Sequence, residues 1–131
     1  MNESASTRIF DALRTSSKRT VLVDVLATRH GALEFLGPLV DALHCPVYCT
    51  PMGKGAIDET HPMYGGIYSG STSAPGIKEA VESSDCVLHL GPLLADSNTG
   101  AFSRKIEETQ LISIDPYQCV VCSYHKTLAV V

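Results

Sequence analysis

The sequence has no concentration of basic residues. Its ten lysines and arginines are scattered along 131 residues, and the formal net charge at pH 7 is −4. A protein that binds nucleic acid neutralises backbone phosphates with a basic surface. We therefore expect no nucleic-acid partner.

A long apolar run is also missing. Nothing in the sequence approaches the roughly 18 consecutive apolar residues that a membrane span needs. Residues 1–4 lack the basic and then apolar layout of a secretory signal peptide. We therefore expect no membrane partner and a soluble, cytoplasmic protein.

The cysteines do not have the pattern of a disulfide framework. Their number is odd and they lie in apolar segments, which indicates buried thiols in a reducing compartment. The five are Cys45, Cys49, Cys86, Cys119 and Cys122. The last two have a suggestive spacing, but residues three apart on a strand point to opposite faces. We expect these cysteines to pack in the core.

Motifs of the common catalytic and metal sites are also missing. There is no Gly-x-Ser-x-Gly turn of the kind that exposes a reactive serine. The five histidines are isolated, without a partner at the spacing of a metal site. Asp58, Glu59 and His61 could be drawn as an acid and base cluster, but adjacent acidic residues in a loop usually lie at a solvated surface. We expect no catalytic, cofactor-binding or metal-binding residue.

Glycine-rich phosphate loops are incomplete. Residues 27–31 follow the first predicted strand with a single glycine, which is not a dinucleotide fingerprint. Residues 52–55 contain a Gly-Lys pair without the rest of a Walker motif. Residues 70–76 lead into a predicted helix, and they either cradle an anion or form a polar turn and cap.

The sequence does contain an alternation of helix and strand patterns. Helical spacing of apolar residues predicts helices over residues 6–16, 31–44 and 74–83. Short apolar runs predict strands over residues 21–26, 46–50, 86–90, 111–115 and 118–123, with a brief strand at 66–68. Loops are expected over residues 51–75 and, with one helical turn, 91–105.

This alternation predicts one α/β domain, residues 1–131, with a doubly wound, mainly parallel Rossmann-like sheet. Hydrophobic residues at 44% and charged residues at 18% suit a single globular domain of this length. After the last predicted strand the alternation calls for a covering helix. We therefore expect the chain to be part of a longer protein.

Several segments resemble the central domain of fungal pyruvate decarboxylases. Residues 50–70 read TPMGKGAIDETHPMYGGIYSG, and they resemble that domain over their whole length. The resemblance continues through VESSD at 81–85, GPLLAD at 91–96 and NTGAFS at 98–103. It covers about two-thirds of the chain well.

In that family the subunit has three α/β domains, and the outer two hold thiamine diphosphate and magnesium. The resemblance implies a central domain excised from such a subunit, with a scaffold and regulatory role in a 2-oxo acid (pyruvate) decarboxylase. The cofactor and magnesium would then belong to the full-length enzyme, with none bound by this domain. This carboxy-lyase fragment is expected to be inactive alone and to associate with the other domains and subunits as a homo-oligomer.

The resemblance also implies regulation. Fungal members are activated by their substrate, and a cysteine just after the first central-domain strand has been assigned to that role. This chain has Leu26 and Ala27 there, so a thiol switch is not expected, but it keeps Arg29 and His30. These two are candidate regulatory residues for a small carboxylate effector. Alternatively, Arg29 is a surface arginine at the end of the strand. Asp24, at the end of the same strand, either pairs with Arg29 or acts as a polar cap.

An alternative function is a nucleotide-binding module, because related thiamine enzymes hold flavin or ADP in the equivalent domain. The weak glycine pattern argues against it. Bound flavin colour or adenine absorbance would favour it.

Residues 96–105 form a polar segment with little apolar anchoring, and in fungal relatives the corresponding loop is implied to order as the active site closes. We expect a mobile loop. Its candidate residues are Asn98, Thr99, Gly100 and Ser103. The alternative is a rigid turn packed through Phe102 and Ile106.

Overall fold

The fold is given by a computed structural model that describes residues 3–121 and 126–129. The helices in this part of the chain are α1 (Glu3–Thr15), α2 (Val25–Arg29), α3 (Leu33–Leu43) and α4 (Ile77–Glu82). The strands are β1 (Arg19–Val23), β2 (Val47–Cys49), β3 (Tyr64–Ile67), β4 (Cys86–Leu90), β5 (Leu111–Ile114), β6 (Gln118–Val121) and β7 (Lys126–Ala129). Cys122, His125 and the end of the strand predicted over residues 118–123 lie outside the described residues.

The described strands form one sheet in the order β3-β2-β1-β4-β5-β6-β7. The five strands from β3 to β5 are parallel. This arrangement confirms the predicted mainly parallel α/β sheet. β1 lies between β2 and β4, with Val21 opposite both Val47 and Leu88.

The last two strands, β6 and β7, are antiparallel to their neighbours. The turn after β5 explains the first reversal, because Asp115 Oδ1 accepts hydrogen bonds from the backbone N–H groups of Tyr117 at 2.7 Å and Gln118 at 3.0 Å. A tight turn of this kind reverses the chain, whereas a parallel neighbour needs a long crossover. The expected covering helix is therefore not the next element, and β7 follows as a strand that the sequence pattern did not predict.

Alternating side chains of the parallel strands supply two cores, one on each face of the sheet. On the first face, Val21, Val23 and Leu88 pack with Ile9 of α1 and Val40 of α3. The four described cysteines, Cys45, Cys49, Cys86 and Cys119, are buried free thiols in this core, as predicted.

The opposite face is covered by α4 and the segment after β3. Leu22 of β1 and Val87 of β4 pack there with Tyr48, Tyr68 and Val81. Continuous burial of strands on both faces is the reason why they appear in the sequence as apolar runs rather than alternating ones.

The strand predicted over residues 21–26 is too long. β1 ends at Val23, because Asp24 is the N-cap of the next helix and its side chain accepts a hydrogen bond from the Val25 backbone N–H. Such a residue begins a helix, so Leu26 belongs to α2. The strand predicted over residues 86–90 has the predicted bounds.

No helix within residues 3–121 and 126–129 has the length and apolar character needed to cross a bilayer.

Candidate functional site

A buried carboxylate lies where the loops after neighbouring parallel strands meet. Asp24 directly follows β1 and is 1% exposed. Its Oδ1 accepts hydrogen bonds from the Val25 backbone N–H at 2.6 Å and from the Thr50 hydroxyl at 2.8 Å. Since Thr50 follows β2, Asp24 joins the carboxyl ends of adjacent strands, which is the edge at which open α/β sheets carry functional groups.

Asp24 also connects to the loop after β4. Its Oδ2 accepts from the Leu93 backbone N–H at 3.1 Å and faces His89 Nε2 at 3.4 Å. The Asn98 side-chain amide donates to both carboxylate oxygens, at 2.9 Å and 3.0 Å. The Asn98 side-chain carbonyl accepts from the Met52 backbone N–H at 2.8 Å. Asp24 and Asn98 together therefore join the loops after β1, β2 and β4.

These donors keep the Asp24 carboxylate ionised. Burial alone would raise its pKa, but the contact with His89 and the hydrogen bonds from Leu93, Val25 and Asn98 together hold the pKa below the ordinary value of 3.8. A buried carboxylate whose lone pairs are occupied in this way cannot accept a proton from a substrate. Asp24 therefore positions loops and does not act as a base.

His89 and Arg104 extend this cluster. His89 lies on β4 with no exposed surface, and its Nδ1 is 3.3 Å from Nη1 of the half-buried Arg104. Burial lowers the pKa of His89 below 6.5, so the ring is neutral at neutral pH. Burial also lowers the pKa of Arg104 below its ordinary value, although a guanidinium stays charged.

A second set of contacts ties the segment after Arg104 to α4. The buried Tyr68 hydroxyl donates to Glu82 Oε2 at 2.6 Å, and the Lys105 backbone N–H donates to the same oxygen at 3.1 Å. Lys78 Nζ lies 3.3 Å from Glu82 Oε1. Burial and the neighbouring Glu82 carboxylate raise the pKa of Tyr68, so its hydroxyl remains a donor.

A mainly apolar cavity of about 360 Å³ opens beside these loops. It lies between α2 and the loops after β4 and β5. Its lining residues are Leu26, Ala27, His30, Ala32, Leu90, Gly91, Ile114, Asp115 and Pro116. His30 and Asp115 provide the charged or titratable side chains of this lining.

The structure separates the two candidate regulatory residues. His30 lines the cavity, whereas Arg29 does not and is exposed on the last turn of α2. Asp24 does not receive Arg29, because its oxygens are occupied by Thr50, Asn98 and backbone N–H groups. Asp24 is instead the polar cap of α2, and the regulatory role of Arg29 and His30 stays a prediction.

The candidate mobile residues make many hydrogen bonds. Asn98 and Thr99 are 2% and 4% exposed, and the Thr99 hydroxyl donates to the Ala95 carbonyl at 2.8 Å. Gly100 has a φ of 61°, and Ser103 Oγ accepts from the Ser71 backbone N–H at 2.8 Å. Phe102, the anchor of the alternative packed turn, is 64% exposed. Mobility of this segment stays a prediction. If the segment moves, these hydrogen bonds have to break.

The glycine- and serine-rich residues 70–76 bond mainly to the chain itself. The Ser73 hydroxyl donates to the Gly70 carbonyl at 2.8 Å, and the Ser71 hydroxyl donates to Ser103 Oγ at 2.8 Å. Gly76 precedes α4 with a φ of 88°, so the helix begins at Ile77 rather than at residue 74. This geometry is that of the polar turn, the second of the two predicted alternatives.

Asp58 and Glu59 are exposed, which confirms their interpretation as surface residues. His61 does not join them through a side-chain hydrogen bond, since its Nε2 faces Asp41 Oδ1 at 3.0 Å. Asp58 accepts instead from the Thr60 backbone N–H at 2.8 Å.

Within the described residues no group of three or more His, Cys, Asp or Glu side chains is arranged to hold a metal ion. The buried carboxylate is saturated by protein donors, so these residues do not fit the magnesium and diphosphate that the resemblance assigns to the full-length enzyme.

Sequence reasoning missed the roles of His89, Arg104 and Asn98. Each is an isolated polar residue in the sequence, and their partners lie 65, 15 and 74 positions away. The available signal was Asp24 at the end of a buried strand, a place where a charged side chain needs partners.

Comparison with known proteins gives a consistent result. Residues 6–131 match the family model for the central domain of thiamine pyrophosphate enzymes. The chain is 43% identical over 104 residues to pyruvate decarboxylase isozyme 2 of Saccharomyces cerevisiae, covering 79% of this chain and 18% of that protein. It is 47% identical over 88 residues to pyruvate decarboxylase of Candida albicans, covering 67% of this chain and 16% of that protein. The chain thus spans less than a fifth of the length of these relatives.

Proposed function

The chain belongs to the central-domain family of thiamine pyrophosphate enzymes, and we propose that it is the scaffold and regulatory domain of a pyruvate decarboxylase. In this proposal it is one of three domains in a subunit of a cytoplasmic homo-oligomer. The other domains hold thiamine diphosphate and magnesium, and this domain holds neither. The observation that carries the proposal is the 43% identity over 104 residues to a yeast pyruvate decarboxylase.

The polar cluster at the carboxyl edge of the sheet supports a scaffold role. Asp24 and His89 are buried and committed to protein partners, so neither side chain is free to contact a substrate. Asp24 and Asn98 hold three loops in fixed relative positions. Those loops form the edge of the domain at which α/β folds present functional groups.

A chimera tests the scaffold proposal. The 104 matched residues of the S. cerevisiae isozyme 2 are replaced by the corresponding residues of this chain. The chimera should release acetaldehyde from pyruvate, because the catalytic groups come from the host, and the unaltered isozyme is the control. A folded, assembled chimera without activity would contradict the scaffold role.

The isolated chain tests the other half of the proposal. With pyruvate, thiamine diphosphate and magnesium added, it should release no acetaldehyde above a blank, because in this proposal the groups that activate the cofactor belong to the other domains. Acetaldehyde above the blank would show that the chain carries catalytic groups of its own.

The regulatory part of the proposal concerns Arg29 and His30 together with the neighbouring cavity. Arg29 is exposed and is followed in the chain by His30, which lines the mainly apolar cavity, and a guanidinium binds a small carboxylate through two N–H groups. In the chimera, Arg29→Gln should remove any sigmoidal dependence of rate on pyruvate. Lys54→Gln is the matched control, because Lys54 is an exposed cation in the loop after β2, away from the cavity. Equal curves for both variants would contradict a role for Arg29.

The cavity also supports a second candidate, a nucleotide-binding module, because it lies at the carboxyl ends of β1, β4 and β5, where open α/β sheets bind nucleotides. Purified chain would then carry flavin colour or adenine absorbance. The single-glycine loop after β1 favours the first candidate.

A further inference from the structure

His89 lies between a carboxylate and a guanidinium in the interior of the domain. Its Nε2 is 3.4 Å from Asp24 Oδ2, and its Nδ1 is 3.3 Å from Arg104 Nη1. A guanidinium only donates hydrogen bonds, so Nδ1 must be the unprotonated acceptor. The ring proton is then on Nε2 and points at Asp24. The geometry therefore selects one neutral tautomer of His89.

The Asp24 carboxylate also binds the first residue of the segment 98–104, whose last residue is Arg104. Asn98 donates to both oxygens of Asp24, while Arg104 donates to His89, which contacts Asp24 in turn. Residues 98–104 are thus attached to the sheet at both ends through one connected set of polar groups. The attachment at Asn98 uses shorter hydrogen bonds than the attachment at Arg104.

We propose that His89 is an acid-sensitive switch, and that its protonation releases Arg104 and opens residues 99–105 while Asn98 stays on Asp24. A proton from solvent takes the Nδ1 lone pair that accepts the Arg104 N–H. That hydrogen bond breaks, and the imidazolium then repels the guanidinium. The Nε2 proton remains directed at Asp24, so the attachment at Asn98 is kept.

In the closed structure the ring of His89 lies between one charged group of each sign. Asp24, at the end of β1, and Arg104 balance each other while the ring is neutral. The neighbouring strand residues Leu22 on β1 and Ser113 on β5 are not ionisable at these pH values. On the α4 side, Tyr68 donates to Glu82, which also accepts from Lys105 N–H and pairs with Lys78. Glu82 is therefore bonded to other groups. When His89 is protonated, Asp24 is then the one carboxylate in contact with the two cations, His89 and Arg104.

The direction of the pH effect follows from burial. The pKa of His89 in the closed structure is below 6.5 because burial disfavours the charged ring. A histidine exposed by opening has the ordinary value, so the open form binds more protons between the two pKa values. The closed form is fully favoured above the ordinary pKa and loses this advantage as pH falls below it. The opening equilibrium then rises about tenfold for each pH unit in that window.

Amide hydrogen exchange of the whole chain tests the switch. Exchange is measured from about pH 7.5 to about pH 5 and expressed as protection factors. A protection factor is the ratio of the intrinsic to the observed exchange rate, so the effect of pH on intrinsic exchange cancels. Residues 99–105 should lose protection by roughly tenfold per pH unit below the ordinary histidine pKa. The core strands β1 and β4 should keep their protection over the same range.

Two variants make the test specific. In His89→Gln the side-chain amide donates toward Asp24 and its oxygen accepts from Arg104, but it does not titrate. Protection of residues 99–105 should then be independent of pH. His61→Gln is the matched control, because His61 lies in the loop before β3 and pairs with the exposed Asp41 of α3. Its loss should leave the pH dependence unchanged.

Constant protection of residues 99–105 in the unaltered chain would overturn the proposal, as would pH dependence that persists in folded His89→Gln. If that variant does not fold, NMR titration of the His89 ring in the unaltered chain decides. The switch requires the ring to titrate at the pH at which residues 99–105 lose protection. Separate midpoints for the two events would overturn it. The switch does not depend on the activity of a parent enzyme.

Discussion

At the carboxyl edge of the sheet, close backbone contacts determine which residue type a position can hold. Gly91 has a φ of 68°, and a Cβ placed there would collide with the backbone nitrogen of Ala27. The close approach allows Gly91 O to accept from Leu26 N–H at 3.0 Å, while Gly91 N–H donates to Ile114 O at 2.7 Å. Gly91 thereby joins α2 to the ends of β4 and β5 and forms part of the cavity floor.

Gly91→Ala should lower the free energy of unfolding by about 2 kcal/mol or more, since the left-handed backbone and the collision both oppose a side chain. Gly37→Ala is the matched control, because a Cβ at Gly37 in α3 meets no atom within 4 Å outside its chain neighbours and the local helix backbone. That change should alter the free energy of unfolding by less than about 1 kcal/mol, because helix propensity favours alanine while Pro38 disfavours a Cβ on the residue before it. Urea denaturation measures both, and equal effects would contradict this account.

Asp24→Asn should lower the free energy of unfolding by about 3 kcal/mol at neutral pH, because an amide turns one acceptor into a donor facing other donors. The native pKa of Asp24 is below 3.8, so its contribution is full above that value and is lost as pH falls below it. The variant should therefore lack that part of the acid destabilisation. Exposed Asp11→Asn should change stability by less than about 0.5 kcal/mol. Urea denaturation at neutral and acidic pH tests this, and parallel pH curves for all three proteins would refute it.

At the scale of elements, three loops depend on one side chain. Asn98 bonds to Asp24 after β1, Met52 after β2 and the Leu93 carbonyl after β4. Its neighbours carry the polar character that suggested a mobile loop. Burial of Asn98 and its four hydrogen-bonding contacts make it the anchor of the segment.

Asn98→Ala should cost about 1–3 kcal/mol of stability, because it leaves buried polar partners unsatisfied. Amide exchange should become faster in residues 51–56 and 91–95, where the Asn98 partners lie, than in α1. Ser97→Ala is the matched control, because Ser97 is exposed on the same turn. Similar exchange in the two variants would show that Asn98 is not the anchor.

At the scale of the whole molecule, the described surface carries large exposed apolar side chains. Phe10 is 69% exposed and Phe35 is 64% exposed, on α1 and α3. An apolar cavity of about 220 Å³ opens between these helices, lined in part by Phe10, Leu39 and Leu88. Apolar surface of this kind favours association with other protein surfaces.

The isolated chain should therefore self-associate at high concentration and sediment faster than a 14.0 kDa monomer. Replacing Phe10 and Phe35 together with Gln should shift the chain toward the monomer, because it removes the largest apolar side chains of these two helices from the surface. Glu34→Gln, an exposed change in α3, is the control and should leave association unchanged. Sedimentation velocity as a strict monomer at every concentration would contradict the prediction.

Local periodicity in the sequence was enough to predict part of the fold. The apolar runs of β1, β2, β4 and β5 and the helical spacing of α1 and α3 are repeated at short range, so the parallel α/β class followed from them. The family could be recognised from residues 50–70 because the resemblance lies in one continuous segment of the sequence. Tertiary structure alone decided the antiparallel β6 and β7, because the direction of a strand depends on its turn and its neighbour. It also decided the cluster around Asp24. His89 and Asn98 meet that carboxylate only because parallel strands bring residues 65 and 74 positions apart to one edge, and no local pattern encodes such a distance.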